Sequence, residues 1–271
     1  MNYETLEVRR QDGITTLAFN RPAKKNAMNP KLHHEMHDAL SELQHDEETR
    51  VLILTGNGDA FCAGEDLKEY FYDLKDRPIE AERLRKISYE WRGKMLSLLS
   101  KPTIASINGW CFGGAFAVVA SCDLAIAAEE ATFGLSEINF GHFPGGLVPR
   151  AIMDLLRWRD VVYYSLTGEP FDGKRAAEIG LVNFAVPKSR LAEETLKLAR
   201  KLLEKEPLAL RETKEVLRIG REMNDEQTWY WAQAKSYETT YLQKGEWMER
   251  GIKQFSDKSY RPGLGSYKKG Q

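Results

Sequence analysis

Residues 4–9 and 14–19 alternate between apolar and polar positions, with Gln11-Asp12-Gly13 between them. That pattern predicts a β-hairpin closed by a tight Asp-Gly turn. After Asn29-Pro30, the residues Met36, Leu40 and Leu43 recur at helical spacing, which predicts a helix over about 31–46. Val51-Leu52-Ile53-Leu54-Thr55-Gly56 is a short apolar run that ends in glycine, as expected of a strand buried on both faces in a parallel sheet covered by helices. Thr103 to Ile107 and Leu124 to Ala127 repeat this pattern, and the stretches 79–100 and 114–121 between the runs read as helical. Strands that alternate with helices at Gly-rich corners imply an α/β layered core.

The pattern changes after Pro144. From about 146 to 257 the spacing is nearly all helical, with helices expected over Leu191 to Lys205, Leu208 to Met223 and Glu226 to Leu242. One extended piece, Gly180 to Val186, interrupts them. The chain therefore divides at about residue 200, with a mixed core over 1–199 and a helical portion over 200–271. From Pro262 onward the composition reads as a frayed tail. No internal repeat or low-complexity tract is visible.

Composition removes several classes of function. The 271 residues are enough to bury one large core. Lys plus Arg number 39 against 40 Asp plus Glu, a net charge of −1, which gives no electrostatic reason to expect nucleic acid or a membrane surface as partner. No apolar run approaches the roughly 20 residues that cross a bilayer, and the N-terminus lacks the basic-then-apolar order of a signal peptide. Cys62, Cys111 and Cys122 are odd in number and spaced neither as a disulfide framework nor as a zinc site. A reduced, cytoplasmic protein without a bound metal is expected.

Three partial motifs fail on their spacing. Gly56-Asn57-Gly58 begins like a dinucleotide fingerprint, but Phe61 stands where the third glycine belongs and no helix opens there. His34-Glu35-Met36-His37 is one residue short of the metalloprotease pattern. His33 and His37, four apart, read as part of a solvated helix face rather than as metal ligands. Gly134-Leu135-Ser136-Glu137-Ile138 lacks the closing glycine of a nucleophile elbow, and no histidine is placed by sequence to activate Ser136.

Two other features carry chemistry. Asn108-Gly109-Trp110-Cys111-Phe112-Gly113-Gly114-Ala115 is a glycine-bearing turn that opens an apolar run. Such a turn leaves backbone N–H groups free to point at an anion. The lone acid Glu137 follows 23 residues past Gly114, flanked by Leu135, Ile138 and Phe140, a setting that raises a carboxyl pKa and suits it to proton transfer. The alternative for Glu137 is a buried ion-pair partner. The stretch from Asp59 to Tyr70 supplies a second glycine-bearing loop after the buried 51–55 strand. Two such loops at the ends of neighbouring strands can converge on one oxygen, and an oxyanion hole is worth ~3–4 kcal/mol per donor removed. Together these features point to an enolate or a tetrahedral oxyanion.

Taken as a set, these motifs resemble the crotonase (enoyl-CoA hydratase/isomerase) superfamily. They are Ala63-Gly64-Glu65-Asp66-Leu67-Lys68, Asn108-Gly109 with Gly113-Gly114, Phe133-Gly134 with Glu137-Ile138, and Gly180-Leu181-Val182. The likeness runs from Asn20-Arg21-Pro22 and Asn26-Ala27-Met28 into the C-terminal helices. It is closest to the hydroxycinnamoyl-CoA (feruloyl-CoA) hydratase-lyases, through Asp66 to Phe71, Asn108 to Gly114, Gly134 to Asn139 and Lys258 to Leu264.

The resemblance implies a spiral of ββα turns with a helical trimerisation region, assembled as a homotrimer or a dimer of trimers. It implies an acyl-CoA substrate, with CoA entering as part of the thioester and no separate cofactor. The backbone N–H groups of Glu65 and Gly114 would hold the thioester oxygen, and Glu137 would move protons. Lys24, Ala63, Leu67, Ser136, Phe140 and Gly145 match CoA-contacting positions, and Tyr70, Ala117, Trp231 and Gln233 match acyl-contacting ones. Many hydratases of the family carry a second acid at the position of Ala117; the hydratase-lyases also lack it. Glu137 alone can serve as base for water and then as acid for the α-carbon if its pKa lies near the working pH.

Three departures sit at the acyl end. Gln233 stands at the place of a second phenol-contacting tyrosine, with Tyr230 and Trp231 nearby. His142-Phe143-Pro144 replaces smaller apolar residues and proline. Glu65 replaces an apolar residue, and its carboxylate is expected to point away from the oxyanion or to act as an extra proton carrier, since a charge aimed inward would oppose a developing anion. The expected function is hydration of an aromatic or bulky enoyl-CoA, with retro-aldol cleavage to an aldehyde and acetyl-CoA. The alternatives are a plain hydratase or double-bond isomerase and, from another class, a non-catalytic CoA- or RNA-binding member of the fold.

Overall fold

Asp12 and Gly13 both have positive φ, 50° and 79°, the combination that a two-residue hairpin turn of right-handed strands requires. They join β1 (Leu6–Gln11) to β2 (Ile14–Phe19), which pair antiparallel with Leu6 opposite Phe19. The computed structural model describes residues 2–259. Most of the Lys258 to Leu264 segment, and all of the tail from Pro262, lie outside them.

Eight more strands follow among the described residues. They are β3 (Val51–Gly56), β4 (Ala60–Cys62), β5 (Thr103–Ile107), β6 (Trp110–Phe112), β7 (Leu124–Ala128), β8 (Thr132–Gly134), β9 (Phe171–Asp172) and β10 (Phe184–Val186). They form two sheets, ordered β1-β2-β3-β5-β7-β10 and β4-β6-β8-β9. Only the β1/β2 and β8/β9 pairings are antiparallel. β3, β5 and β7 each enter the larger sheet, and the next short strand, β4, β6 or β8, enters the smaller one before a helical segment returns the chain. The fold is thus a spiral of strand–strand–helix turns.

The returning helices are α1 (Pro30–His45), α2 (Pro78–Glu90), α3 (Ala115–Ser121), α4 (Val148–Leu155), α5 (Trp158–Thr167) and α6 (Gly173–Glu178). α1 is capped by Asn29, whose side chain accepts from Leu32 N, and it buries Leu32, His33, Met36, Ala39, Leu40 and Leu43. α2 runs on into a wider π-helical turn, Trp91–Met95, with both Trp91 and Arg92 buried. The core gathers Phe19, Phe61, Trp91, Phe116 and Phe133 between sheets and helices.

The smaller sheet is missing from the strands read off the hydrophobic pattern and is implied only by the resemblance, through its ββα turns. Strands β4, β6 and β8 are three residues long, too short for a period to show. Similarly, only Phe184–Val186 of the expected 180–186 piece is strand; Leu181 and Val182 both donate back to Ala176 O, which turns the chain there.

The described residues divide at 200/201 into two compact units, with α7 spanning Leu191–Leu203. The second unit holds α8 (Pro207–Gly220), α9 (Asp225–Leu242) and the short α10 (Lys253–Ser256). Asn224 and Gln227 form a reciprocal capping box at the start of α9. No helix among the described residues is long and apolar enough to cross a membrane.

Candidate active site

β4, β6 and β8 lie side by side and parallel, with Cys62 beside Cys111 and Phe112 beside Gly134. Neighbouring strands stand about 4.8 Å apart, so the segments that leave their C-terminal ends emerge at one edge of the sheet. Those segments are Ala63-Gly64-Glu65, Gly113-Gly114 and Leu135-Ser136-Glu137. All three chemical features read from the sequence are therefore delivered to one place by one small sheet.

The first segment is strapped down by its neighbours. Ala63 N donates to Lys25 O at 2.9 Å, Met28 N to Gly64 O at 2.7 Å, and Asp66 N to Met28 O at 2.9 Å. The Asp66 carboxylate accepts from Lys68 N and Glu69 N and pairs with Arg21 at 3.0 Å. Asn26 completes the brace: it is fully buried, donates to Asn57 O and Ala60 O, and accepts from Arg21 N. In the second segment, Gly113 N donates to Gly134 O at 3.1 Å and Phe116 N to Gly113 O at 3.0 Å. These bonds skip three donors, Gly64 N, Glu65 N and Gly114 N. Among the described residues, neither Glu65 N nor Gly114 N gives its hydrogen to another protein group. A Cβ placed on Gly64 would lie 3.4 Å from Gly114 N, so the two loops touch.

Glu137 opens the short 3-10 turn Ser136–Phe140, which ends at Gly141 with φ 73°. One carboxylate oxygen, Oε1, lies 2.9 Å from the point that a Cβ on Gly113 would occupy. The other, Oε2, is buried without a hydrogen-bond partner among the described residues. Burial pushes the Glu137 pKa up, against a smaller opposing pull from its own backbone N–H and from His142. A catalytic role is one explanation for a polar atom left in this state.

The Glu65 carboxylate turns into the protein, toward Arg92 at 2.8 Å and His33 at 2.8 Å. Burial alone would raise its pKa, but Arg92 and His33 outweigh that and hold it below the ordinary carboxylate range. His33 is not part of a solvated face, as its spacing suggested. It is fully buried and bonded through both ring nitrogens, accepting from Trp91 Nε1 at 3.0 Å and meeting Glu65 at the other. Its place on the Leu32–Met36–Leu40 stripe was the available signal. Arg92, Arg21 and Asn26 have no mark of their own in the pattern.

The remaining predicted residues distribute as follows. Lys24 is exposed at the end of a 3-10 turn, next in sequence to Lys25, whose carbonyl takes the Ala63 N–H, while Leu67 and Phe140 are 57% and 68% exposed. Ser136 directly precedes Glu137, and Gly145 lies on the loop before α4 with open space around it. Ala117 is 2% exposed in the first turn of α3, and Tyr70 is 8% exposed in a cluster with Leu74, Ala81 and Leu84. Burial raises the Tyr70 pKa, with Glu65 adding to it and the Ser88 hydroxyl beside it opposing. Trp231 and Gln233 lie half-buried on α9 of the second unit. Among the described residues, no group of three or more His, Cys, Asp or Glu side chains is gathered as a metal site.

A sequence profile described as enoyl-CoA hydratase/isomerase matches residues 9–262. The chain is 48% identical over 269 residues to a hydroxycinnamoyl-CoA hydratase-lyase of Pseudomonas fluorescens, covering 98% of each protein. It is 33% identical over 248 residues to a mevalonyl-coenzyme A hydratase of Aspergillus fumigatus, covering 90% of this chain and 89% of that one. Its structure superposes on an enoyl-CoA hydratase of Mycobacterium smegmatis with a TM-score of 0.86 at 27% identity, covering 94% of this chain and 97% of that one.

Proposed function

The chain belongs to the enoyl-CoA hydratase/isomerase family, and from that membership we propose that it hydrates an aromatic enoyl-CoA with Glu137 alone and then cleaves the product. It is an enzyme with the crotonase fold, a lyase of the hydratase-lyase type that acts on CoA thioesters. The observation that carries the mechanism is the partnerless Glu137 Oε2 at the same sheet edge as two unused donors, Glu65 N and Gly114 N.

In the proposed reaction the thioester oxygen sits between those two N–H groups. Glu137, ionised, takes a proton from water as the oxygen bonds to the β-carbon, and the electron pair moves onto the thioester as an enolate. The same carboxyl then returns the proton to the α-carbon. For cleavage, Glu137 removes the β-hydroxyl proton; the Cα–Cβ bond breaks, leaving an aldehyde and an acetyl-CoA enolate that is protonated at carbon. A raised pKa suits both roles because it lets one group give and take near neutral pH.

Lys24, Ala63, Leu67, Ser136, Phe140 and Gly145 are the proposed CoA contacts, with no cofactor beyond the substrate's own CoA. Tyr70, Ala117, Trp231 and Gln233 are the proposed acyl contacts. The second unit is the proposed trimerisation region of a homotrimer, or of a dimer of trimers; Trp229, Tyr230, Tyr237 and Tyr241 are exposed along α9. Three free cysteines fit a cytoplasmic setting.

Hydration without cleavage is the second reading, favoured by Gln233 at the position of a phenol-contacting tyrosine. A turnover screen over cinnamoyl-, coumaroyl-, feruloyl- and crotonyl-CoA, with product masses and an aldehyde trap, separates the two. Feruloyl-CoA is expected to yield vanillin and acetyl-CoA, and the β-hydroxy product alone overturns the lyase assignment. Glu137→Gln is expected to lower kcat by about 10²–10⁴ while thioesters still bind, and full turnover by this variant refutes the acid–base role.

A further inference from the structure

Behind the two donor loops lies a buried charge network that the proposed chemistry does not use. The Arg92 guanidinium is 6% exposed and reaches three places at once. Its Nη2 pairs with Glu65 Oε1 at 2.8 Å and with the Ser88 hydroxyl. Its Nη1 donates to Gly114 O at 3.3 Å, and its Nε to Ser88 O at 3.2 Å. Glu65 and Gly114 carry the two unused backbone N–H groups proposed to hold the thioester oxygen. A Cβ on Gly114 would meet Arg92 Nη1 at 2.9 Å and Glu65 Oε1 at 3.2 Å, so the fork packs directly against that α-carbon.

The other Glu65 oxygen is fixed as well. Indole nitrogen only donates, so the Trp91 bond leaves His33 Nδ1 as the acceptor and puts the imidazole hydrogen on Nε2, facing Glu65 Oε2. Burial holds His33 toward this neutral form. Glu65 is therefore gripped on both oxygens, by a cation on one side and a neutral N–H on the other. The carboxylate and guanidinium charges cancel within the network.

We propose that Arg92, seated on Glu65 and His33, is the positioning residue of the oxyanion hole: its fork fixes the separation and orientation of the Glu65 and Gly114 donors. Arginine rather than lysine is required, because a planar fork holds two acceptors at a set geometry, whereas an ammonium is a point charge. A misplacement of about 1 Å in such a site costs about 10²-fold in rate. This inference rests on the reading of Glu65 N and Gly114 N as donors to a thioester oxygen.

The test uses the full chain with Arg92→Lys and the near-isosteric Glu65→Gln, so that failure of one variant to fold leaves the other. The probe is 4-(dimethylamino)cinnamoyl-CoA, whose absorption moves to longer wavelength when its carbonyl is polarised. The wild type is expected to red-shift the bound probe. Both variants are expected to retain cooperative melting and to bind the probe, but to lose most of the shift. Their kcat should fall about 10- to 100-fold with KM within about threefold. A wild-type shift and kcat in either folded variant overturns the proposal while leaving the proposed function standing. No shift of bound probe in the wild type overturns both, since there is then no oxyanion hole for the fork to set.

Discussion

Gly113→Ala separates the cost of building the site from the cost of running it. Gly113 has φ 50°, in the left-handed region, where an L side chain costs about 1–2 kcal/mol. The added Cβ would sit 2.9 Å from Glu137 Oε1. A comfortable C···O approach is about 3.3–3.6 Å, so the carboxylate must withdraw by roughly 0.5 Å. That movement is easy for the fold because the atom displaced is the tip of a flexible side chain. It is costly for the chemistry because the tip is the proposed acid–base. Half of the 1 Å displacement that loses about 10²-fold in rate corresponds to about tenfold, or 1.4 kcal/mol in the barrier.

The assay is a double-mutant cycle with Glu137→Ala, reading melting temperature and kcat together. Gly113→Ala alone should lower Tm by several degrees, at about 2–4 °C per kcal/mol for a domain of this size, and kcat by about tenfold. In the Glu137→Ala background the clash partner is gone. The Tm loss should persist there, while kcat, already low, should not fall further. An unchanged kcat in Gly113→Ala, or an equal fold loss in both backgrounds, refutes the placement of Glu137 against Gly113 as the working geometry.

Two further perturbations test the framework around this site. The folded-state pKa of Glu137 is raised by burial, above an ordinary value of about 4.3, so its contribution to stability is present at low pH and lost as pH rises through the folded pKa. Glu137→Gln should therefore melt higher than the wild type at neutral pH, with the gap closing as pH falls toward the ordinary carboxyl range. A gap independent of pH refutes this. Asn26→Ala removes three hydrogen bonds, one buried and two part-buried, and places alanine at φ 57°, which should cost about 3–4 kcal/mol in urea unfolding; a loss under about 1 kcal/mol would show that the brace is not needed.

Much of this was legible in the residues. β3, β5 and β7 announce themselves as wholly apolar runs, α1 by its stripe and Asn29 cap, and Glu137 as a lone acid among Leu135, Ile138 and Phe140. The smaller sheet was not, because strands of three residues have no period and are interrupted by the glycines that end them. Arg92 was not, because Trp91-Arg92-Gly93-Lys94 reads as a polar helix face. Both Trp91 and Arg92 are buried in the π-helical turn Trp91–Met95, which the pattern of residues gave no reason to expect. His33 was visible on the apolar stripe, but only its bonds to Trp91 and Glu65 explain why a polar ring belongs there.

The geometry also accounts for how one carboxylate can suffice where many relatives are expected to use two. β6 stands between β4 and β8, so the donor at Gly114 has the donor at Glu65 on one side and the acid at Glu137 on the other, each about one strand spacing away. In the proposed mechanism, a thioester oxygen held between the first two would leave its α- and β-carbons on the Glu137 side. Ala117, 2% exposed within α3, supplies no second carboxylate. Glu137 Oε1 is confined by Gly113, while Oε2 faces the buried space without a partner. Oε2 is the oxygen that, in the proposed mechanism, would take and return the reacting proton.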